Sequence, residues 1–568
     1  MKLLFTRLWL LERLKPGEQQ RTLWAAALIG FLGALATVGF RELISAAEIL
    51  LYGQHGSLVK AAQSLPYWAR IVVPCVGGAL AGLLLSAGRR QQGEGLASDY
   101  MEAISLKDRS LGIGHSLIRA ASSWLSVVSG SSIGREGAMV QLAAVTGTWF
   151  GNWRQLSPPR KRLMVACGAA AGITAAYNAP IAGALFIAEI VLRSIAIETL
   201  GPLIVSSVIS NLTIHALFDY GPVYAMPEFR MLHLPEIGLH GALGLIMGVA
   251  APLFLQVLDQ TKKAFARLAL PLPAKLALGG ALVGLISVWR PEVWGNGYSV
   301  VNEILADQWP VGLLAVVLLS KVVATALTTG SGAVGGVFTP TLFVGAALGS
   351  IFGTGCHLIW PDIAPAPVYA ATGMAAMLAA TTFAPLMAIL MIFEMTGNYQ
   401  IMLPLMIASV LAYSLARLRR DRSVYSGSLG EAGKSFPGMQ VKDIRRDDPP
   451  TLPHTARVGE FEHSFVHRRW QHIYVVDEQG RFLGAVSLHD IGPALRAGQL
   501  PADQVLPAEW IKRDYPRVTP EMSLAQALES FSRHPGERLP VVGETGALMG
   551  YITKNELVLL LQESFATP

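Results

Sequence analysis

Cysteine is almost absent. Three in 568 residues, Cys75, Cys167 and Cys356, stand in or beside apolar segments at no metal-ligand spacing. That argues against a disulfide framework or a zinc site and for small core residues. Charge is also thin, at 15% of residues against 52% hydrophobic and a mean hydropathy of +0.44, which argues against a soluble globular chain. HExxH, GxSxG and paired aspartates within apolar runs are all missing, so a membrane hydrolase is disfavoured and no enzyme is expected. No basic face interleaves with aromatics, which sets nucleic acid aside. Acids in the apolar part are scattered rather than clustered as a divalent-cation pathway requires. A magnesium transporter therefore stays only as a remote alternative.

What is present is long apolar runs, at 23–40, 71–87, 238–255, 276–288 and 310–329. Others, at 138–150 and 340–352, are short of the ~20 residues of a perpendicular crossing. Short, glycine-rich runs predict tilted or broken helices packed inside protein, where freed backbone groups find partners. The apolar part is also written twice. ACGAAAGITAAYNAPIAGALFIAE (166–189) and ATGMAAMLAATTFAPLMAILMIFE (371–394) share alanines, a glycine, Ala-Pro and a terminal Glu at an offset of 205. A glycine-rich break precedes each copy, GSSIGREGAM from Gly130 and GSGAVGGVFTP from Gly330. Duplicated apolar halves with matching breaks point to a transport site where the repeats meet.

Arg7, Arg13, Lys15 and Arg21 precede the first apolar run, and Arg417, Arg419, Arg420 and Arg422 follow the last. The positive-inside rule then puts both ends in the cytoplasm. MKLLFTRLWLLERLKPG reads as an amphipathic basic helix at 1–22, not a cleavable signal. The net charge of +6 is mostly this juxtamembrane decoration.

The break at 134–137, Gly-Arg-Glu-Gly, lies between serines and an apolar run. It predicts a helix N-terminus inside the membrane, whose free N–H groups and dipole attract an anion. Glycine lets the main chain come close. GGVFTP at 335–340 does the same in the second copy, with Pro340 suited to a first helical turn. Two such ends make an anion site without a full positive charge, which suits throughput. Glu136 between them is an intramembrane acid and a functional candidate by default. Its carboxylate can take the place of a permeant anion, a reading preferred to a loop ion pair with Arg135. Lys321, alone in an apolar run, either pairs with an acid on another helix or raises the positive potential of the anion path, and pairing is the preferred reading. Glu189 and Glu394 are read as structural acids.

GREGA (134–138), GVFTP (336–340), YNAPIAG (177–183), EMTGNYQ (394–400) and Tyr425 together resemble the CLC chloride channels and chloride–proton antiporters over roughly 20–430, in wording similar to the bacterial ClcB-type branch. The resemblance implies an all-α polytopic domain of inverted repeats with tilted, partly broken helices. It also implies a homodimer in the bacterial inner membrane with one pore per subunit. It makes Glu136 the gating glutamate, and places chloride on Gly134, Arg135 and Gly137, on the amides of Val337 and Phe338, and on the Tyr425 hydroxyl. A phenol donates without a competing charge.

The soluble remainder holds a second repeat. YVVDEQGRFLGAVSLHD (474–490) aligns at an offset of 66 with PVVGETGALMGYITKNE (540–556). Each predicts a strand, a turn, a strand and a helix opened by Ser487 or Thr553. These residues resemble a tandem CBS pair, an α/β module. The resemblance implies that Ser487 with Asp490, and Thr553 with Glu556, hold the ribose of an adenine nucleotide. The other reading of the two carboxylates is solvated first-turn acids favoured by the helix dipole. No cofactor is required. The expected organisation is a membrane domain at 23–425 (halves 23–225 and 235–425), a linker at 426–440, and CBS domains at 441–497 and 504–564.

Two departures from the family pattern matter. Its first anion-binding stretch falls on 93–97, where the selectivity serine becomes Glu94. Glu94 pointing away, or Ser98 or a backbone amide in its place, are the alternatives. Antiporters carry a second acid immediately after the position of Glu189, and here that residue is Ile190, which relays no proton. This favours channel-like, voltage- or pH-gated passive chloride conduction, with chloride–proton antiport as the alternative.

Overall fold

The computed structural model describes residues 18–54, 56–89, 96–97, 99–105, 110–218, 223–224, 226, 235–426, 440–467, 470–497, 499–532 and 536–557. The predicted N-terminal amphipathic helix, Glu94 and Ser98 lie outside the described residues, apart from the start of the first long helix. The chain divides into two compact units, 1–430 and 431–568.

The first unit is helical. Its elements are α1 (Glu18–Tyr52), α2 (Leu58–Ser64), α3 (Tyr67–Arg89), the two-residue strands β1 (Leu96–Ala97) and β2 (Ser110–Leu111) around α4 (Tyr100–Ser105), α5 (Ile113–Val128), α6 (Glu136–Trp153), α7 (Pro158–Tyr177) and α8 (Pro180–Leu185), which runs on into a π-helical turn, Phe186–Leu192. The second half holds α9 (Ile197–Leu217), α10 (Glu236–Arg267), α11 (Leu272–Trp289), α12 (Tyr298–Leu305), α13 (Val311–Ser331), α14 (Phe338–Ile359), α15 (Ala366–Thr382), α16 (Pro385–Thr396) and α17 (Met402–Arg419). Among the described residues, eight helices are long and apolar enough to cross a membrane. One is α14. The apolar run read as too short at 340–352 continues through Gly353 and Gly355 to a helix of 22 residues, with Gly345, Gly349 and Gly353 packed against Gly373 and Tyr369 of the next helix.

The sequence repeat is a structural repeat. α7 ends on Asn178 and α15 on Phe383, both left-handed at φ 53 and 61, and the next helix opens at Ala179-Pro180 and Ala384-Pro385, with Pro in the first turn each time. Contacts between the copies are reciprocal. The Glu394 carboxylate accepts from the N–H groups of Ile181 (2.9 Å) and Ala182 (2.8 Å) at the start of α8. Glu189 accepts from Leu386 (3.3 Å) and Met387 (2.8 Å) at the start of α16. Each acid caps the helix of the opposite copy, and such mutual exchange is what a local twofold produces. Both are structural acids, as expected. Close helix packing repeats as well. A Cβ on Gly168 would come within 2.4 Å of the Ala143 carbonyl, and one on Gly373 within 2.3 Å of that of Gly345, the small-residue contact that membrane helices use in place of a hydrophobic drive.

The second unit contains β3 (Thr451–Pro453), α18 (Val458–His467), β4 (His472–Val476), β5 (Phe482–Ser487), α19 (Leu488–Arg496), α20 (Leu524–Ser532), β6 (Arg538–Val542) and β7 (Leu548–Thr553). β4–β5 and β6–β7 are antiparallel hairpins. Their turns carry Gly480 at φ 74 and Gly546 at φ 80, where the absence of Cβ removes the steric cost. Ser523 and Gln526 form a capping box at α20. The leading segment of each half crosses to the other half: Arg446 pairs with Tyr551 of β7, and Lys512 with Ala485 of β5.

Candidate functional site

The two glycine-rich breaks meet. The Gly134 N–H donates to the Gly336 carbonyl (2.8 Å), and the Gly336 N–H to the Gly134 carbonyl (2.9 Å). This two-bond clasp turns α6 and α14 away from a common point. α6 starts at Glu136, with Arg135 as its N-cap, and α14 starts at Phe338, with Val337 as its N-cap. Both N-termini therefore open near the clasp, and the first N–H groups of a helix have no partner within it. The break positions follow from the residues: glycines at the approach, then an unbroken apolar run.

Beside the clasp is a cavity of about 150 Å³. Glu136, Gly137, Gly336, Phe338, Tyr177 and Tyr425 are in its wall. A second cavity, of about 230 Å³, is lined by Arg135, Asn296, Arg41 and Glu48 among others. The Glu136 carboxylate is in the wall of the first cavity and is hydrogen-bonded to Asn296, which lines the second. Its Oε1 accepts from Thr339 Oγ1 (2.7 Å) and from Asn296 Nδ2 (3.1 Å). Its Oε2 is buried and has no hydrogen-bond partner. The side chain is 6% exposed, so it is presented to cavities and not to open solvent. Tyr177 adds a hydroxyl contact to Thr339 at 3.4 Å.

Several expectations change. Gly134 was to offer its amide to an anion, but that N–H is committed to Gly336. The free amides of this break are those of the first turn of α6. Arg135 lines the second cavity and not the first. Val337 is not in the first cavity's wall, whereas Phe338 is. Tyr425 lies in that wall, edge-on to Phe186 with ring centroids 5.5 Å apart, in place of a membrane-surface anchor. Among the described residues, Lys321 pairs with no acid. Its fully buried ammonium donates to the carbonyls of Val293 (2.9 Å) and Gly295 (2.7 Å), and the Phe343 ring centroid lies 5.9 Å away. Ile190 is a buried core residue in the π-helical turn.

Sequence reasoning missed Asn296, Thr339 and Asp99. Asp99 lines the first cavity with Arg119 and Tyr100, and its Oδ1 accepts from the Glu102 N–H (3.0 Å) at the opening of α4. Thus a third helix start, at Tyr100, reaches the cavity a few residues beyond the stretch expected at 93–97. An Asp as helix cap is the available signal.

In the second unit, Ser487 caps α19 through the His489 N–H (3.2 Å) and Thr553 accepts from the Glu556 N–H (3.2 Å). The acids are engaged across the halves: Asp490 with Lys512 (2.8 Å) and Glu556 with Arg446 (3.0 Å). Lys512 and Arg446 are themselves separated by the repeat offset of 66, so one ion pair is the repeat image of the other. Neither acid is a solvated first-turn carboxylate without a partner. Glu556 also draws the Arg446 guanidinium above its ordinary range, by hydrogen bond first and by charge second.

Residues 77–417 match the family described as voltage gated chloride channel, and 441–495 and 508–563 match the CBS domain. The chain is a CLC protein. A Ralstonia nicotianae protein named as a ClcB-like chloride channel is 53% identical over 409 residues, covering 71% of this chain and 95% of its own length. A Citrobacter koseri voltage-gated ClC-type chloride channel ClcB is 44% identical, over 71% of this chain and 98% of that one. Among solved structures, a slow cyanobacterial Cl⁻/H⁺ antiporter superposes with a TM-score of 0.65 at 26% identity, covering 73% of this chain and 99% of its own. A eukaryotic CLC transporter, with a TM-score of 0.63 at 20% identity, shares the fold over 94% of this chain and 98% of its own. This CLC chain is thus a multi-pass membrane transport protein and not an enzyme, with a CBS pair following its helical unit.

Proposed function

We propose that this protein conducts chloride through the two cavities, with Glu136 as the gate between them. The observation that carries the reading is the placement of one buried carboxylate where two helix N-termini converge. Positive helix ends attract an anion, and the ionised Glu136 occupies that place itself. When it is displaced or protonated, chloride takes the place, held by first-turn amides of α6 and α14 and by the Tyr425 hydroxyl. Binding by dipoles and N–H groups lets the ion leave again, and Arg119, the cation in the first cavity's wall, shares that wall with Asp99. The protein acts as a homodimer with one pore per subunit in a bacterial inner membrane, both termini cytoplasmic. The CBS pair regulates it. Adenine nucleotide would have to displace Lys512 and Arg446 from the two acids.

Channel-like conduction is supported by Ile190. Antiport is the second reading, supported by Asp99, a second carboxylate in the wall that Glu136 shares. The test is chloride efflux from liposomes carrying the purified full chain, with external pH recorded. Glu136→Gln is expected to give flux that no longer responds to external pH. Flux in that variant as pH-dependent as in the parent would sink the gate. Proton movement coupled to chloride in the parent, lost in Glu136→Gln, selects antiport, and loss of coupling in Asp99→Asn as well would name its second acid.

A further inference from the structure

Lys321 and Arg70 are buried cations whose hydrogen bonds go to backbone carbonyls, and the segment that Lys321 clamps touches the gate. The loop from Val293 to Gly297 turns between a short 3₁₀ turn, Pro291–Val293, and α12. Gly295 and Gly297 are both left-handed, at φ 67 and 90. A Cβ on Gly297 would stand 2.9 Å from the Phe343 ring and 3.3 Å from Lys321 Cε, so this backbone path admits no larger residue. Trp294 is 1% exposed and packs edge-on to Tyr52. The Lys321 ammonium fastens the carbonyls of Val293 and Gly295. A buried charge is costly unless it is well bonded, so this clamp is a specific device. Asn296 is the residue it presents. Asn296 Oδ1 accepts from the Tyr298 N–H (3.2 Å), which fixes which end of the amide is which. The other end, Nδ2, then faces Glu136 Oε1 at 3.1 Å.

We propose that Asn296 is a positioning residue for the gate, a latch held in place by Lys321 that retains the ionised Glu136 carboxylate in its seat. This rests on the gate reading above. The latch acts on one oxygen only. With Asn296 and Thr339 both on Oε1, Oε2 accepts a proton without breaking either bond. Other titratable groups line the two cavities on either side. From the first cavity they are Asp99, Tyr100, Arg119, Tyr177 and Tyr425. From the second they are Arg41, Glu42, Glu48, Arg135 and Tyr298, and Tyr224 stacks on Tyr298. A neutral substitution at 296 adds no charge among these, so a changed response to pH in such a variant reports the latch.

The experiment is chloride efflux from liposomes carrying the full chain over a series of external pH, for the parent, Asn296→Asp, Glu136→Gln and the double variant. Asp keeps the acceptor that Tyr298 needs and loses the donor to Glu136. The lost hydrogen bond and the added like charge both destabilise the seated carboxylate. Flux at neutral pH should rise about tenfold and the profile should move about one pH unit to the alkaline side. Asn296→Ser, which keeps an acceptor, adds no charge and is too short to reach Glu136, isolates the hydrogen bond and should show the same direction of change. A parental pH profile in Asn296→Ser overturns the latch even if Asn296→Asp shifts. The double variant should match Glu136→Gln. A parental pH profile in Asn296→Asp, with Glu136→Gln insensitive to pH, overturns the latch and leaves the gate standing. Additive effects in the double variant overturn it as well. If Glu136→Gln keeps its pH dependence, the gate itself falls and the latch with it.

Discussion

Glu136 holds its two oxygens in different company, and that asymmetry makes single substitutions informative. Thr339 Oγ1, at 2.7 Å, gives it the shorter of its two bonds. Thr339→Val removes that donor at nearly constant volume. Chloride flux at neutral pH is expected to rise by about tenfold or more, since a hydrogen bond to a charge is worth roughly 1.5–3 kcal/mol. A stopped-flow efflux assay checks it, and unchanged flux would show that Thr339 does not restrain the carboxylate. Glu136 itself was legible in the sequence, because an acid between glycines ahead of an apolar run has few structural uses. Thr339 and Asn296 were not. They lie 203 and 160 positions away from it, and no local pattern states such a distance. Lys321 was misread for a related reason. A lone cation in an apolar run implies a partner but not its kind, and carbonyls freed by a glycine turn serve as well as a carboxylate.

Helices in this fold are completed by their counterparts. Glu189 and Glu394 each hold two N–H groups at the start of the opposite copy's helix. Replacing either with Ala removes a cap, at a cost of about 0.5–2 kcal/mol. The two variants should lose closely similar amounts of thermal stability in detergent, and a loss confined to one would deny the symmetry. The repeat and its Ala-Pro helix starts were readable at the offset of 205, since Pro and apolar periodicity are local signals. The reciprocity of the caps was not, because hydrophobic pattern fixes which face is buried and not which partner covers it. The opening of α4 at Tyr100 is a similar case. Its cap, Asp99, lies just past the glycines that drew attention to 93–97, and the helix is too short for periodicity to announce.

The whole chain consists of two units, and the match to the channel family ends at 417, before the second begins. Deleting 431–568 is expected to leave chloride flux in liposomes and to remove any response to nucleotide. Loss of flux in a folded, membrane-inserted truncation would make the CBS pair part of the pathway. Lys512→Ala, which opens one of the image-related ion pairs, should cost at most about 1 kcal/mol, because partly exposed pairs contribute little. Calorimetry of the full chain checks that value. The reciprocal caps have a further consequence, for biosynthesis. When residues of the first copy have entered the bilayer, the N–H groups of Ile181 and Ala182 still await Glu394, more than two hundred residues downstream and not yet translated. In hydrocarbon each unsatisfied group costs several kcal/mol. The first copy is therefore an unfinished client until the ribosome has delivered the second, and any insertase that attends it must stay for both.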